Sequence, residues 1–190
     1  LTQRMADISA QLRQFSRKSS ERQETISVQA CMEYALRLFH SRLRDDGVNV
    51  VQQWPEETLW VKGDLVRLEQ VLVNLIGNAV QAMKETDTPT LTLSAQVAHH
   101  QVRISVADNG PGIAAEHLGC IFEPFFTTKA PGSGLGLGLS ISSRIMEDLG
   151  GKLQATNQAE GGACFTITLP RSSAPEPSGS RIEQENPYHA

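Results

Sequence analysis

Apolar residues recur along the first twenty residues at alternating steps of four and three. The positions are Leu1, Met5, Ile8, Leu12 and Phe15. This spacing predicts a helix with a narrow apolar seam of the kind that packs in a helical hairpin or a coiled coil. Because one helix cannot bury such a seam alone, the pattern also predicts a partner. Half a hairpin buries little area, so we expect this chain to be mostly monomeric.

Two more helices are predicted between residues 27 and 83. One begins at Ser27 and runs to Leu43, where the sequence Asp45-Asp46-Gly47 stops it. The other follows Asp64, whose side chain suits the N-cap position, and continues to Met83. The apolar residues of this second helix share one face and form a predicted core stripe: Leu65, Leu68, Leu72, Leu75, Ile76, Ala79 and Met83.

Alternating apolar and polar positions predict several strands. Short strands at 48–54 and 58–62 lie on either side of a turn signal, Pro55-Glu56-Glu57. Residues 91–97 and 101–107 alternate strictly and are joined by a short polar link, so they are expected to form a hairpin.

The last part of the chain predicts one helix and two strands. Residues 114–140 are rich in glycine and predict only a short helix, whereas 141–150 form a helix that Gly150-Gly151 closes. Strands follow at 152–158 and 163–170. Residues 171–190 are rich in Ser, Pro and Glu, which is typical of a disordered tail.

This order of elements predicts an α+β fold. Strands follow one another in hairpins and do not alternate regularly with helices, which favours a helix layer on one face of a mainly antiparallel sheet. A doubly wound parallel sheet is disfavoured, and the second sheet face is expected to be more solvated. We expect three segments: a helix at 1–20, a main domain at 21–170 and the tail at 171–190.

Composition narrows the function. A net charge of −4 and an isoelectric point near 5.7 argue against a nucleic-acid surface. Cys31, Cys120 and Cys164 are widely spaced and form no CxxC pair, so we expect free, buried and inert thiols in a reducing compartment. No apolar run is long enough to cross a membrane. The chain begins at Leu1, so we expect a piece of a longer protein.

A polar flank accompanies the apolar stripe of the helix at 65–83. Arg67, Asn74, Asn78 and Gln81 lie on one side of that helix. Asparagine is a mediocre helix former, so two of them in mid-helix carry a cost. One interpretation is an ordinary solvated face. The other is a pair of amide oxygens in a cleft, where they suit Mg²⁺ that also holds phosphate oxygens and waters.

The stretch DNGPGI, residues 108–113, follows a predicted buried strand. Asn109-Gly110 and Pro111-Gly112 are strong turn dipeptides, and a turn alone would explain them. Asp108, however, ends the strand, where a buried carboxylate needs a partner. It could accept hydrogen bonds from an amino group such as that of adenine. The glycines would let the backbone approach a flat ring closely.

The stretch GSGLGLGLS, residues 132–140, opens the last predicted helix. Its glycines leave backbone N–H groups free for one ligand, and a helix N-terminus adds partial positive charge, so the stretch suits phosphate. It matches neither a P-loop nor G-x-G-x-x-G. A flexible linker is the alternative, but leucine at every other position is too apolar for one. Upstream, FEPFFTTK (122–129) predicts a hydrophobic anchor, after which Lys129 could reach a phosphate.

Together these stretches resemble the catalytic ATP-binding domain of two-component sensor histidine kinases, which belong with gyrase, the Hsp90 chaperones and the MutL repair proteins. NLIGNA (74–79) resembles the N box, DNGPGI the G1 box, FEPFF (122–126) the F box and GLGLGLS (134–140) the G2 box. Four such motifs in this order are specific to the family, and the resemblance covers about residues 45–170. Residues 1–20 resemble the end of the second helix of the family's dimerisation hairpin.

The resemblance implies a two-layer α/β sandwich of the Bergerat type, with ATP between the helices and a lid of roughly 123–134. By position, Asn78 would ligate Mg²⁺, Asp108 would take the adenine amine, and Asn74, Asn78 and Lys129 would act in phosphoryl transfer. The expected nucleotide-binding residues are Asn74, Asn78, Gln81, Asp108, Gly110, Gly112, Ile113, Phe122, Thr127, Thr128, Lys129, Gly132, Ser133, Gly134, Leu135, Gly136, Leu137 and Gly138.

Asn74 distinguishes the kinases from the ATP-hydrolysing relatives. In those relatives, the resemblance implies a glutamate at the matching position. A neutral amide cannot take a proton from water, so the γ-phosphate is expected to be kept for a histidine. The G2 box has an extra Gly-Leu pair, which leaves its register open by two residues; counting back from Ser140-Ile141 makes Gly134 its first glycine. A hydrolysing ATPase of the same fold and a non-enzymatic nucleotide-sensing or dimerisation module are the alternatives.

The acceptor histidine of the family is not matched. None of His40, His99, His100, His117 and His189 lies in the expected motif, so this piece is expected to bind ATP without phosphorylating itself. The expected partners are the histidine-bearing dimerisation domain and a response-regulator receiver domain. C4-dicarboxylate transport sensor kinases are the subfamily that this chain resembles most. The resemblance lies in the doubled glycine-leucine run at 134–140, in FFTTK at 125–129 and in the segment 1–20. That subfamily implies a homodimeric parent in the bacterial inner membrane, this domain in the cytoplasm, and a sigma-54 activator as regulator.

Overall fold

The computed structural model describes residues 23–128 and 135–175. The strands are β1 (Glu24–Ser27), β2 (Asn49–Gln53), β3 (Trp60–Gly63), β4 (Thr90–Ala98), β5 (Gln101–Asp108), β6 (Lys152–Asn157) and β7 (Ala163–Ser172). The helices are α1 (Val28–Asp45), α2 (Leu65–Ala82) and α3 (Gly138–Asp148). The predicted helix at 1–20 and residues 176–190 of the predicted tail lie outside the described residues.

The strands form one mixed sheet in the order β1-β3-β7-β5-β4-β2, with β6 also paired to β7. The predicted hairpin is confirmed, because β4 and β5 pair antiparallel from Leu91 opposite Asp108 to Ala98 opposite Gln101. Only the pair of β2 and β4 is parallel among the described strands. The expected α+β class with a mainly antiparallel sheet is therefore confirmed.

One apolar core joins the three helices to one face of the sheet. Alternate residues of β5, which are Val102, Ile104 and Val106, are buried in it. The predicted stripe of α2 is also buried, except that Leu65 is only partly covered. The helix layer therefore covers the apolar face of the sheet, as the alternation of the strands requires.

Side chains begin two of these helices as the sequence predicts. The Ser27 side chain accepts a hydrogen bond from Ala30 N at the start of α1. The Asp64 carboxylate accepts one from Arg67 N, at 3.2 Å, at the start of α2. Both contacts satisfy backbone donors that the first helical turn leaves without a partner.

Several predicted elements differ from the structure. The strand β1 was not predicted, and its pairing with β3 places it at the sheet edge. The two short strands around Pro55 do not pair with each other: β2 lies beside β4 and β3 lies between β1 and β7. Strands of four or five residues carry too little alternation to show which strand they will pair with.

The boundaries near the glycine-rich region also differ. The described residues between Ala114 and Phe126 form turns, and the short helix predicted there is absent from them. Helix α3 begins at Gly138, three residues before the predicted start at Ile141. Strand β7 runs to Ser172, so the first residues of the predicted disordered tail pair with β3.

The cysteines are free, as predicted, but only one is fully buried. Cys31 lies in the core, and burial, followed by the charges of Glu69 and Glu24, raises the pKa of its thiol to about 12. Cys120 and Cys164 are half-buried, so the prediction of three buried thiols was wrong for these two. Among the described helices, none is long and apolar enough to span a bilayer.

Candidate functional site

A cleft of about 610 Å³ opens where the end of β5, the second half of α2 and the start of α3 meet. Its lining combines the polar side chains of α2 with the loop after β5 and with the residues on both sides of the segment 129–134. The lining residues that the sequence predicted are Asn74, Asn78, Gln81, Asp108, Gly112, Ile113, Thr127, Thr128, Leu135, Gly136, Leu137 and Gly138.

Asp108 is the buried carboxylate of this cleft, with only 3% of its surface exposed. Its Oδ1 accepts hydrogen bonds from Gly110 N at 3.0 Å and from Ala163 N at 3.3 Å. Burial raises the pKa of Asp108, and the two backbone donors partly oppose that rise. Since both donors use Oδ1, the other carboxylate oxygen is the one left for a group in the cleft.

The loop 108–113 is built from contacts that its turn residues make possible. The side chain of Asn109 accepts from Thr90 N at 2.7 Å and donates to Thr88 O at 2.9 Å, which ties the loop to the start of β4. Gly112 has φ +78 and lines the cleft. Gly110 does not line it: a Cβ there would lie 3.0 Å from Asp108 Oδ1 and 3.1 Å from Ala82 O. Gly110 therefore holds the carboxylate.

The polar flank of α2 separates into two parts in the structure. Asn74, Asn78 and Gln81 line the cleft. Arg67 does not, because its Nη2 lies 2.6 Å from Asp148 Oδ2 at the end of α3. The solvated-face interpretation is thus wrong for the three amides, whereas the arginine joins two helices.

Asn74 links α2 to the start of α3. Its Nδ2 donates to Ser142 Oγ at 3.0 Å, across 68 residues of sequence. A Cβ on Gly138 would overlap Asn74 Oδ1, so the start of α3 can approach α2 this closely only with glycine at that position. The amide is held by contacts on both sides, and it carries no charge with which to accept a proton.

The start of α3 faces the cleft without a side-chain cap. Its N-cap residue, Leu137, offers no side-chain oxygen, whereas Ser27 and Asp64 cap the other two described helices. Gly138 and Leu139, in the first turn of α3, line the cleft. Backbone N–H groups and the positive end of a helix dipole therefore meet the cavity, an arrangement that favours an anion.

The F-box stretch forms the base of the segment 129–134. Gly136 has φ +67, and a Cβ on it would overlap the carbonyl oxygen of Phe126, so the chain entering the segment lies directly against the chain leaving it. Thr127 and Thr128 line the cleft there. Phe122 packs against the core and is not among the residues that line the cleft, so its contact with nucleotide stays a prediction. Lys129, Gly132, Ser133 and Gly134 lie outside the described residues.

Comparison with known proteins identifies the family. The profile described as "Histidine kinase-, DNA gyrase B-, and HSP90-like ATPase" matches residues 63–173, more than half of the chain. The chain belongs to this ATPase family. The solved catalytic domain of the histidine kinase ThkA is 32% identical, with a TM-score of 0.71, over 79% of this chain and 98% of that domain. Within the family, the chain is therefore a histidine kinase catalytic domain.

Curated relatives are sensor proteins of much greater length. The C4-dicarboxylate transport sensor protein DctB of Pseudomonas aeruginosa is 39% identical over 89% of this chain and 28% of the relative. The DctB protein of Rhizobium meliloti is 36% identical over 90% of this chain and 27% of the relative. The chain thus spans between a quarter and a third of the length of these two relatives.

The sequence did not identify every residue that lines the cleft of this histidine kinase domain. The residues missed are Ala82, Pro111, Ala114, His117, Ile121, Phe126, Leu139, Ala163 and Phe165. His117 lies edge-on to the Phe126 ring, with the ring centroids 5.2 Å apart. Ala163 and Phe165 belong to β7, which pairs with β5 beside Asp108. Ala163 and Phe165 line the cleft because β7 lies next to Asp108 in the sheet, and no local motif in the sequence marks these two residues.

The donor set of the cleft suits a cation that arrives with phosphate. The described residues contain no group of three or more His, Cys, Asp or Glu side chains able to hold a metal ion. The polar atoms that α2 presents are those of the amides Asn74, Asn78 and Gln81. Neutral oxygens bind Mg²⁺ weakly by themselves, and they fit an ion whose other ligands are phosphate oxygens and waters.

Proposed function

We propose that this domain binds ATP in the cleft, with adenine at Asp108 and the phosphates at the start of α3. The observation that carries the proposal is the buried Asp108 carboxylate, whose Oδ1 is held by two backbone donors. Such a carboxylate accepts from an amino group. The 6-amino group of adenine supplies that donor, whereas guanine has a carbonyl oxygen at the same place, so Asp108 discriminates between the two bases.

The phosphate end of the site combines several backbone and side-chain groups. The first-turn N–H groups of α3, at Gly138 and Leu139, would bind phosphate oxygens, with Thr127 and Thr128 beside them. Gly132, Ser133, Gly134 and Lys129 complete this set as predictions from the sequence. Asn78 would hold Mg²⁺ by its amide oxygen, and the ion would neutralise charge that develops on the phosphates.

The γ-phosphoryl group is proposed to pass to a histidine of the dimerisation domain of a longer parent protein. Asn74 supports transfer over hydrolysis, because an amide engaged with Ser142 cannot act as a base for water. Of the described histidines, only His117 lines the cleft. A solved complex of ThkA with the response regulator TrrA, 28% identical and with a TM-score of 0.73, supports a response-regulator receiver domain as the next acceptor.

Sensing of C4-dicarboxylates by a membrane-bound homodimeric parent, with a sigma-54 activator as regulator, is a further proposal. The two DctB relatives, both named C4-dicarboxylate transport sensor proteins, support the dicarboxylate signal. The two-component sensor PprA of Pseudomonas aeruginosa is 41% identical over a similar length, so the likeness of this domain alone does not select the signal. Exchange of this domain into a dicarboxylate sensor, with measurement of the succinate response, would test compatibility with that pathway.

The direct test of ATP binding and transfer uses this chain and a separately made dimerisation hairpin that carries the acceptor histidine. Saturating Mg-ATP at 100 times its Kd should raise the free energy of unfolding by about 2.7 kcal/mol, which melting experiments detect. With labelled ATP, the hairpin should gain acid-labile phosphate and free phosphate should accumulate slowly. Fast hydrolysis would favour the ATPase alternative, and no binding would favour the non-enzymatic one.

Binding of ATP is expected to depend on pH through Asp108. The pKa of this carboxyl is raised by burial, so it takes up a proton at a higher pH than an exposed aspartate does. A protonated carboxyl is a poorer acceptor for the adenine amino group, so binding should weaken as the pH falls through that raised pKa. The measurement is the Kd for ATP from about pH 7 to about pH 4.5.

The matched control for this pH dependence is Asp108→Asn. Protonation of the ATP phosphates affects both proteins equally, so the ratio of their Kd values isolates the carboxyl. The advantage of the unsubstituted protein should shrink toward low pH. A ratio that stays constant while both proteins remain folded would contradict the assignment of adenine to Asp108.

A further inference from the structure

The turn between β6 and β7 lies against the back of the loop 108–113. Two polar side chains at its start, Asn157 and Gln158, reach this loop, and neither lines the cleft. Their positions are exposed, and no motif singles them out in the sequence. What they contact is nonetheless the backbone at the two ends of the loop that presents Asp108.

Asn157 holds the far end of the loop with both polar atoms of its amide. Its Oδ1 accepts from Ile113 N at 2.8 Å, and its Nδ2 donates to Ile113 O at 2.6 Å. The side chain thus satisfies both backbone groups of one residue, as a neighbouring strand would do. A Cβ on Gly112 would lie 3.0 Å from the same Oδ1, which is a tight contact, and the φ of +78 at this position also favours glycine.

Gln158 and the rest of the turn hold the near end of the loop. Gln158 Nε2 donates to the backbone oxygen of Asp108 at 2.7 Å. Ala163 N, on the other side of the turn, donates to the Asp108 carboxylate. Between them, a Cβ on Gly162 would overlap Asp108 O, so the two backbones are in direct contact. One turn therefore fixes both the start and the end of the loop.

We propose that Asn157 and Gln158 are positioning residues for the base of an adenine nucleotide, acting through the loop 108–113. The proposal rests on the function proposed above. A loop with glycines at 110 and 112 has much backbone freedom to lose, and two side chains that order it beforehand remove that cost from binding. Their bonds go to the loop that faces the base, so they should affect nucleotide affinity and leave phosphoryl transfer from bound nucleotide unchanged.

The experiment compares Asn157→Ala and Gln158→Ala with Glu160→Ala, a change at an exposed position of the same turn. The Kd for Mg-ATP is measured by calorimetry, and KM and kcat by transfer to a supplied dimerisation hairpin. Asn157→Ala should raise Kd and KM by about tenfold, because two hydrogen bonds are lost, and Gln158→Ala by about threefold to fivefold. Both should leave kcat within twofold, and Glu160→Ala should change nothing.

Two further measurements separate positioning from general damage. The backbone amide of Ile113 should exchange its hydrogen with solvent at least tenfold faster in Asn157→Ala than in the unsubstituted protein. The comparison requires that the two proteins have the same melting temperature. Asn157→Asp keeps the acceptor for Ile113 N but places a carboxylate oxygen against Ile113 O, where two acceptors repel, so its Kd should be at least as high as that of Asn157→Ala.

The outcomes distinguish this proposal from the function on which it rests. If the unsubstituted chain binds no ATP, the proposed function fails and the positioning role fails with it. If it binds ATP and both alanine variants bind within twofold of it, the positioning role alone is overturned. A fall in kcat equal to the rise in KM would also overturn it, because the turn would then act on the whole site.

Discussion

Replacing Asp108 with asparagine is expected to weaken ATP binding by about 100-fold and to leave the fold intact. An asparagine can place its amide oxygen at the position of Oδ1, where Gly110 N and Ala163 N donate. Its NH₂ group then faces the adenine amino group, and two donors meet where a donor and an acceptor met before. A charge-assisted hydrogen bond is lost and a mismatch replaces it.

The same substitution should change the choice of base. The amide NH₂ can donate to the 6-carbonyl oxygen of guanine, so GTP binding should be unchanged or stronger while ATP binding falls. Calorimetry with ATP and GTP measures both affinities. Asp87→Asn, which removes the same charge at an exposed position, is the matched control. An Asp108→Asn variant with the affinity of the parent for ATP would refute the placement of adenine at this residue.

Stability should not fall in Asp108→Asn, because the folded pKa of Asp108 is raised. The folded state then holds the proton more tightly than the unfolded chain, so the ionised carboxyl lowers the free energy of unfolding at neutral pH. That loss is relieved as the pH falls through the folded pKa. Asparagine does not ionise, so the variant does not carry this loss of stability at neutral pH. A melting temperature at or above that of the parent, with ATP binding lost, would separate binding from folding.

Replacing Gly162 with alanine is expected to destabilise the domain more than the same change at Gly161. The two glycines are adjacent and have similar backbone angles, φ +92 and φ +98, so alanine brings comparable backbone strain to both. Their surroundings differ. A Cβ on Gly161 meets its nearest atom, Gly110 O, at 4.0 Å, whereas one on Gly162 would overlap the backbone oxygen of Asp108.

The expected cost at Gly161 is about 1–2 kcal/mol, from backbone strain alone. Gly162→Ala should cost about 1–3 kcal/mol more, because no rotamer relieves an overlap between two backbones. Urea unfolding of both variants measures the difference directly. Gly162→Ala should also weaken ATP binding, since the loop that carries Asp108 must move. Equal stabilities for the two variants would show that the turn and the loop are not in tight contact.

Local pattern predicted the elements whose information lies within a few residues. The periodic stripe and the Asp64 cap define α2, and strict alternation with a short polar link defines the β4–β5 hairpin. The motif DNGPGI predicted a turn with a buried carboxylate, and the structure has one. For α2, the hairpin and the turn itself, the residues that make the decisive contacts are neighbours in sequence or follow one period.

Contacts between distant segments were predicted less well. The sequence did not show that β2 pairs in parallel with β4, or that β1 adds to β3 at the sheet edge. His117 and Phe165 were not associated with the cleft, although both line it. Asn157 stood in a predicted strand with no sign of a role. Its partner Ile113 lies 44 residues away.

The sequence by itself determined the helices α1, α2 and α3, the β4–β5 hairpin, the resemblance to histidine kinase catalytic domains and the polar residues on which the proposed site depends. Periodicity, caps and turn residues act over a few positions, so they can be read without the fold. Only the tertiary structure decided the strand order, which segments meet to form the cleft, and the contacts that the β6–β7 turn makes with Asp108. Those features arise where the chain returns to itself, as at Asn74 with Ser142, 68 residues apart, and short-range patterns carry no information about such pairs.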